Sequence, residues 1–393
     1  MYEWKDILGG LGILTVAVWC FCWSRAWWHS LQYIDIPTKN HLEGKQCSEL
    51  PPLSVLIPAC NEAASIEATA INLLKQTYSD LQLIFINDRS TDGTGEIIDR
   101  LADENSLITA IHIESLPDGW LGKVHALHVA AQQATGEWLL FTDADVGFES
   151  NALVEIVEFA QSNQVDHLAG LPRIKPAGTW LETAIAAFYT GSMFLISAKR
   201  VANPNDPLAV GVGAMNLVRR TAFEQTDGFE WLKMETIDDV GVGLMVKRSG
   251  GRGMVARAGD QISLEWYQSL GEMARGLEKN SPGLTKYNWF RAVGLLSILP
   301  LVFGGFLCLF FLSPVVSAFA WTICLLFPLM IMSTLSRQTA LARSSFLLLP
   351  VGLAVLWVII ARALFLLWRR GGVQWRGTQY NIRQLREGQR LDL

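Results

Sequence analysis

The sequence predicts an α/β fold: a mostly parallel sheet flanked by helices, with transmembrane helices at both ends. Three observations carry this. Between residues 50 and 290, short apolar runs alternate with helical patterns of about 10 to 15 residues, which is how βαβ units read. Uncharged apolar segments near or above the roughly 18 to 20 residues that cross a bilayer lie on either side of that block. Hydrophobic residues make up 50% of the 393 and charged residues only 18%, against roughly 25% in soluble domains, and the mean hydropathy is +0.26.

The elements follow in order. Leu53–Pro58 is a continuous apolar run of the buried-strand kind. Asn61 and Glu62 open a helix reaching about Gln76, with Ile66, Ala70, Leu73 and Leu74 on one face. Leu81–Ile86 is the second strand, Asp88–Gly93 a turn, Thr94–Glu104 a helix and Ile108–Ile113 the third strand. Lys123–Ala134 is helical, and Trp138–Thr142 is the fourth strand. Ligands of parallel sheets bind beyond the carboxyl ends of the strands. Polar clusters stand at those ends: Pro58 to Glu62, Asn87 to Asp92, and Asp143 to Asp145.

The first apolar run, Ile7–Ser24, holds 18 residues without a charge. A secretory signal peptide is the competing reading. Yet Glu3, Lys5 and Asp6 precede the run, and Arg25, Trp27 and Trp28 follow it in place of a small-residue cleavage site. Residues 1–30 are therefore expected to be an uncleaved anchor, with the chain beyond residue 30 in the cytoplasm by the positive-inside tendency. Ala292–Ser336 has 45 residues without a charge, enough for two helices with a turn at Ser313-Pro314. Ser344–Ala361 is a third run, followed by Arg362, Arg369 and Arg370. Three passes from a cytoplasmic domain would leave the C-terminus outside. Arg376, Arg383, Arg386 and Arg390, set against Glu387 and Asp392, favour the inside and are given the greater weight. The expected organisation is a multi-pass protein of the cell membrane. It has an anchor at 1–30, a Pro37–Pro52 linker, a soluble cytoplasmic domain at 50–290, a membrane region at 291–370 and a basic tail at 371–393.

Lys and Arg number 32, Asp and Glu 37, for a net charge of -5. Bulk positive charge that would hold nucleic acid is absent, so no nucleic-acid partner is expected. The six Cys are scattered, without a CxxC pair, so neither a disulfide framework nor a zinc site is expected.

Asp143-Ala144-Asp145 closes the fourth strand. Two carboxylates two residues apart project to one side of an extended chain and can hold a hard divalent cation; an ordinary acidic turn is the alternative. A metal with open positions can stabilise a departing diphosphate. Asp88 and Asp92 follow the second strand in a Ser/Thr/Gly-rich turn, where carboxylates can accept hydrogen bonds from a base N–H or ribose hydroxyls. Asp92 also reads as an N-cap of the helix from Thr94. Lys123, behind Gly119 and Gly122, stands at a helix N-terminus, a position that favours anions; a surface lysine is the plain alternative. Trp120 reads as a sugar-stacking ring or a membrane-facing one.

Taken together and in order, Pro58–Glu62, Leu73–Gln76, Ile86–Thr94 and Thr142–Asp145 resemble the nucleotide-binding half of family 2 glycosyltransferases, over about residues 50–280. The resemblance implies a GT-A-like fold, a nucleotide-sugar donor expected to be UDP-linked, and a divalent metal, Mg or Mn, at Asp143 and Asp145. It assigns Asp88 to the base, turns Glu62 toward the same nucleoside, and groups Pro58, Asn61 and Asp92 with them. Lys123 would contact the diphosphate or donor sugar. In Gly211–Arg220, Asn216 would line the acceptor side, with a close-packed strand as the alternative. The Asp238-Asp239 pair resembles the family's third acidic motif, and the spacing to Gly250 makes Asp239 the general base, with Asp238 beside it. Repulsion within the pair is expected to raise one pKa.

Trp266, Leu270, Met273 and Leu277 repeat at helical spacing. They suggest an interfacial helix or, alternatively, a core-facing one, whose Arg275 would reach the diphosphate. The QxxRW motif of processive sugar polymerases is missing, and Trp375–Tyr380 stands in the tail instead. That departure resembles bacterial enzymes acting on carotenoids or associated with hopanoid genes. It implies an inverting transfer of one sugar to a membrane lipid or terpenoid hydroxyl. The alternatives are a polyprenyl-phosphate glycosyltransferase and a non-catalytic sugar-nucleotide-binding component of a membrane complex.

Overall fold

The computed structural model describes residues 4–38 and 50–391. Of the expected linker, residues 39–49 lie outside them. The chain divides into two compact units: a helical unit (Met1–Gln32, Pro176–Ser197, Tyr267–Gln374) and a sheet unit (Tyr33–Lys175, Ala198–Trp266, Trp375–Leu393).

The sheet unit carries β1 (Leu53–Ala59), β2 (Leu81–Asp88), β3 (Ile108–Ile113), β4 (Trp138–Phe141), β5 (Val146–Phe148), β6 (His167–Leu171), β7 (Arg173–Ile174), β8 (Asn216–Arg219), β9 (Gly253–Arg257) and β10 (Ile262–Leu264). Seven of them form one sheet in the order β3-β2-β1-β4-β8-β6-β9. β1 runs parallel to both β2 and β4, and β2 parallel to β3. β8 is antiparallel to both β4 and β6, so the sheet is mostly parallel with one reversed strand. The central strands are continuous apolar runs because helices cover both faces. Val55, Leu56, Ile57, Leu83, Ile84 and Phe85 have no solvent exposure, and each such side chain contributes about 1.5–3 kcal/mol by burial.

The strand order explains where the polar clusters meet. From β1 the chain steps outward to β2 and β3, then crosses to the other side of β1 for β4. The reversal leaves a crevice between the carboxyl ends of β1 and β4, the place where open α/β sheets bind ligands. Pro58 sits beyond Leu56↔Phe141, the last pair joining β1 to β4, so the ladder on that side does not need the N–H it lacks. The first helix runs Ile66–Leu74, not from Asn61. Asn61 is left-handed (φ 59°), and residues 61–63 hydrogen-bond across to the turn after β2 instead of starting the helix.

The helical unit contains Trp4–Ser30, Thr179–Leu195, Leu270–Leu284, Trp289–Leu307, Pro314–Gln338 and Leu349–Arg370. Among the described residues three segments are long and apolar enough to cross a membrane: Trp4–Ser30, Trp289–Phe311 and Leu349–Arg370. The break at Ser313-Pro314 falls where the sequence puts the turn, with Pro314 opening the next helix. Two parts of the sequence-defined 50–290 segment, Thr179–Leu195 and Leu270–Leu284, belong to this unit, while residues from Trp375 onward belong to the sheet unit. Thr179–Leu195 carries one charge, Glu182, and is too short for a spanning pattern. Glu182 is buried and accepts hydrogen bonds from Ala342 N–H (2.9 Å) and the Ser345 hydroxyl (3.3 Å). Leu270–Leu284 is capped by Ser269, which accepts from Glu272 N–H at 3.1 Å. It buries Met273 and Leu277, the core-facing alternative, and Trp266 precedes the helix. Glu278 on it takes Arg362 at 2.9 Å and Arg370 at 2.7 Å. Unpaired charge in such surroundings would cost several kcal/mol, and the arrangement leaves Arg362 paired.

Candidate active site

Three loops at the carboxyl ends of β1, β2 and β4 are stitched to one another by short polar side chains. Asn61 N–H donates to the Ser90 hydroxyl at 2.9 Å, and Thr91 N–H donates back to Asn61 Oδ1 at 2.8 Å. Asp92 accepts from Ala63 N–H at 3.1 Å through one oxygen, and from Thr94 N–H and hydroxyl through the other. Burial opposes its ionisation, but these hydrogen bonds outweigh that and hold its pKa below the ordinary value. Both oxygens of Asp92 therefore brace the loops. Ala144 between the two acidic residues is tied down as well: its carbonyl accepts from the Thr69 hydroxyl at 2.7 Å. Such fixed loops hold their functional groups in place before any ligand arrives.

Asp88, at the end of β2, is 4% exposed and is gripped by Arg89 through two bonds, Nε to Oδ1 at 2.7 Å and Nη2 to Oδ2 at 3.1 Å. Gly122 packs against this pair; a Cβ there would collide with Asp88 Oδ2 and Arg89 Nη2. Gly122 also starts the Gly122–Gln133 helix, so the glycine brings the helix N-terminus and Lys123 up to the end of β2.

Lys123 lies among three carboxylates. Its Nζ is 2.6 Å from Asp143 Oδ1 and 3.5 Å from Asp238 Oδ2. Burial of the ammonium lowers its pKa, but Asp143, then Asp238 and Asp239, outweigh this and raise it above the ordinary lysine value. Asp145 has the opposite balance. Although its residue surface reaches solvent, desolvation by the protein around it, then repulsion from Asp143 and Glu62, pushes its carboxyl up to about 7. Among the described residues no group of three or more His, Cys, Asp or Glu could hold a metal. Asp143 and Asp145, two residues apart, still fit a divalent cation such as Mg²⁺, which takes one or two carboxylates and completes its shell with substrate phosphates and water.

Asp238 and Asp239 start the Asp238–Arg248 helix. Asp238 is 5% exposed and turned to Lys123. Asp239 accepts from Gly213 N–H at 3.1 Å and Val240 N–H at 2.9 Å. Gly211 passes so close that a Cβ would sit on the Asp239 carbonyl oxygen, and only glycine admits that approach. Asn216 Nδ2 donates to the same carbonyl at 3.0 Å, while its Oδ1 is 2.7 Å from His167 Nε2. Asn216 is buried and its amide is engaged on both sides, so it orients the Asp239 backbone as part of a close-packed strand. Buried His167 has its pKa pushed down to about 4, chiefly by desolvation.

The sheet unit thus brings together Pro58, Asn61, Glu62, Asp88, Asp92, Lys123, Asp143, Asp145, Asp238 and Asp239. It does not contain Arg275, which lies on Leu270–Leu284 of the helical unit, because the chain leaves the sheet at Trp266. Trp120 is packed within the sheet unit. It is 7% exposed, its ring 4.9 Å from His128 and 5.3 Å from His125, with Lys233 Nζ 5.0 Å from its centre. The sequence reading missed three contributors. Arg89 occupies Asp88. Glu235, fully buried, accepts Arg390 N–H at 2.7 Å and Leu391 N–H at 3.1 Å. Arg376 reaches Glu62 Oε1 at 2.8 Å. Only Trp375–Tyr380 as an unusual tail motif gave any warning of the last.

Comparison with known proteins bears on the family and the fold. Residues 54–227 match the model of the family described as glycosyl transferase family 2. A poly-beta-1,6-N-acetyl-D-glucosamine synthase of Staphylococcus aureus is 30% identical over 128 residues, 32% of this chain and 30% of that protein. An uncharacterized glycosyltransferase, EpsJ, of Bacillus subtilis is 32% identical over 117 residues, 30% of this chain and 33% of that one. The chain thus spans about a third of the length of these relatives. A mannosyltransferase from Pyrobaculum calidifontis, solved in complex with GDP-Man and Mn²⁺, superposes with a TM-score of 0.54 at 18% identity, over 91% of this chain and 96% of that one. At that identity the likeness concerns the fold, which is GT-A.

Proposed function

We propose, for a chain whose residues 54–227 form a family 2 glycosyl transferase domain, a membrane-bound inverting enzyme. It moves a single sugar from a nucleotide sugar to the hydroxyl of a membrane lipid or terpenoid. The observation that carries the reading is the cluster at the β1–β4 crevice, where Lys123 stands between Asp143 and the Asp238-Asp239 pair. A cation at the leaving-group side and a carboxylate at the acceptor side are the two charges that inverting transfer requires.

In this reading Asp88 and Glu62 orient the nucleoside and the helix N-terminus at Gly122 faces the diphosphate. Asp143 and Asp145 would hold a divalent metal, Mg²⁺ or Mn²⁺. When bound it supplies Lewis-acid stabilisation of the diphosphate; the Pyrobaculum protein was solved with Mn²⁺. Asp239, held by Gly213 and Val240, takes the acceptor hydroxyl proton as that oxygen bonds to the anomeric carbon. The bond from that carbon to the diphosphate breaks, and Lys123 offsets the charge on the departing oxygen. Inversion follows from attack opposite the leaving group. Three membrane-length helices among the described residues support an acceptor drawn from the bilayer and a cell-membrane location, and the positive-inside tendency supports a cytoplasmic sheet unit. A polymer-forming reading draws on the Staphylococcus relative, and a polyprenyl-phosphate acceptor, which needs no base, is the other enzyme reading.

The test is nucleoside diphosphate release by membranes containing the protein. These are given UDP- and GDP-sugars, lipid extract and Mg²⁺ or Mn²⁺, with Asp143→Asn as control. Labelled sugar passing singly into the organic phase is expected. Label in long water-soluble chains would favour the polymer reading. Undiminished turnover in Asp239→Asn would favour the phosphate acceptor. Metal-dependent nucleotide binding without turnover on any acceptor would leave a binding component.

A further inference from the structure

The C-terminal hairpin places a cation at the crevice from the far end of the chain. β11 (Gly372–Trp375) and β12 (Thr378–Asn381) are joined by Arg376 and Gly377, both left-handed (φ 45° and 81°). Two-residue hairpin turns of this hand favour Asn, Asp or Gly at the first position. An arginine held there against its backbone preference is the kind of local strain that accompanies a working side chain. The guanidinium donates to Glu62 Oε1 at 2.8 Å and to the Cys60 carbonyl, both at the carboxyl end of β1.

The turn is fixed from its other side too. Tyr380 is buried on β12, directly behind the turn. Further along, Glu235 pins the N–H groups of Arg390 and Leu391. The hairpin is therefore a built wall of the crevice. The Arg376 side chain remains 40% exposed, and its planar fork suits phosphate oxygens as well as it suits the carboxylate it now holds.

We propose that Arg376 binds the diphosphate of the nucleotide donor, exchanging Glu62 for phosphate oxygens when the donor enters, and that Tyr380 is the positioning residue that keeps the turn over the site. This rests on reading the crevice as a nucleotide-sugar site. The test uses the full-length protein in detergent, titrated with UDP and GDP and with UMP and GMP, each with Mn²⁺. Arg376→Asn is the informative variant, because asparagine suits the turn and separates a binding role from a structural one. Expected are about a tenfold weakening for the diphosphate, less than about twofold for the monophosphate, and an unchanged or raised Tm. Arg376→Lys should recover part of the loss, and Tyr380→Phe should weaken the diphosphate selectively without abolishing it. Equal weakening of both nucleotides, weakening of neither, or loss that tracks a fall in Tm overturns the proposal. If the unmodified chain binds neither UDP nor GDP, the nucleotide-site reading itself has failed, and the assignment of Arg376 falls with it.

Discussion

Lys123 Nζ lies 2.6 Å from Asp143 Oδ1, so the expected leaving-group cation shares a bond with an expected metal ligand. Lys123→Met should separate the two roles. Turnover should fall about 100-fold, the usual scale for a lost transition-state charge contact. Mn²⁺ affinity should hold or rise as Asp143 is released. Diphosphate-release kinetics and a Mn²⁺ titration check the pair of outcomes.

Asp145 is crowded by Asp143 and Glu62. Asp145→Asn removes that repulsion along with a ligand. The metal-free variant should melt no lower than the parent, while Mn²⁺ no longer raises its Tm, because a ligand stabilises only the state that binds it. Differential scanning with and without Mn²⁺ reads both effects.

Asp239→Asn should lower turnover by about 100- to 1000-fold, within the range of general-base catalysis, and leave nucleotide-sugar affinity unchanged. Asn216→Ala reaches Asp239 only through its backbone carbonyl. It should reduce turnover less while costing about 1–3 kcal/mol of stability through the unpaired groups it leaves at His167 and Asp239.

The buried His167 makes stability depend on pH. Its folded pKa of about 4 lies below the ordinary 6.5, so between those values the unfolded chain binds more protons. Stability is then full above about pH 6.5 and falls as pH drops toward 4, by up to about 3 kcal/mol. Denaturant melts of the parent and of His167→Gln across that window should differ in slope, the variant being the flatter.

Glu235→Ala removes the acceptor of two tail N–H groups. It should cost about 2–4 kcal/mol and expose the tail, read as faster tryptic cleavage at Arg383 and Arg386. Glu235→Gln, which keeps one acceptor oxygen, should lose less.

The crevice was legible because its parts are contiguous in the chain. Leu53–Pro58 and Trp138–Thr142 announce buried strands, and each is followed at once by the polar residues it positions. The late start of the first helix was not legible. The left-handed Asn61 that delays it is held by Ser90 and Thr91, partners some 30 residues away. Trp120 looked available because neither His128 nor Lys233 can be placed on it from spacing alone. The tail carried the longest-range surprise: Arg376 and Glu62 are 314 positions apart, and no local pattern encodes such a pair.

The return of the tail also constrains how the chain threads a bilayer. The chain leaves the sheet unit at Trp266 and rejoins it at Trp375. A chain that departs from and comes back to one folded body must cross any intervening membrane an even number of times. Trp289–Phe311 and Leu349–Arg370, found among the described residues to be long and apolar enough to cross a membrane, both lie in that interval. Arg376 of the tail and Glu62 of the crevice pair within one folded body, so any membrane crossed between Trp266 and Trp375 would have to leave both on one side, whatever the charge rule says of either.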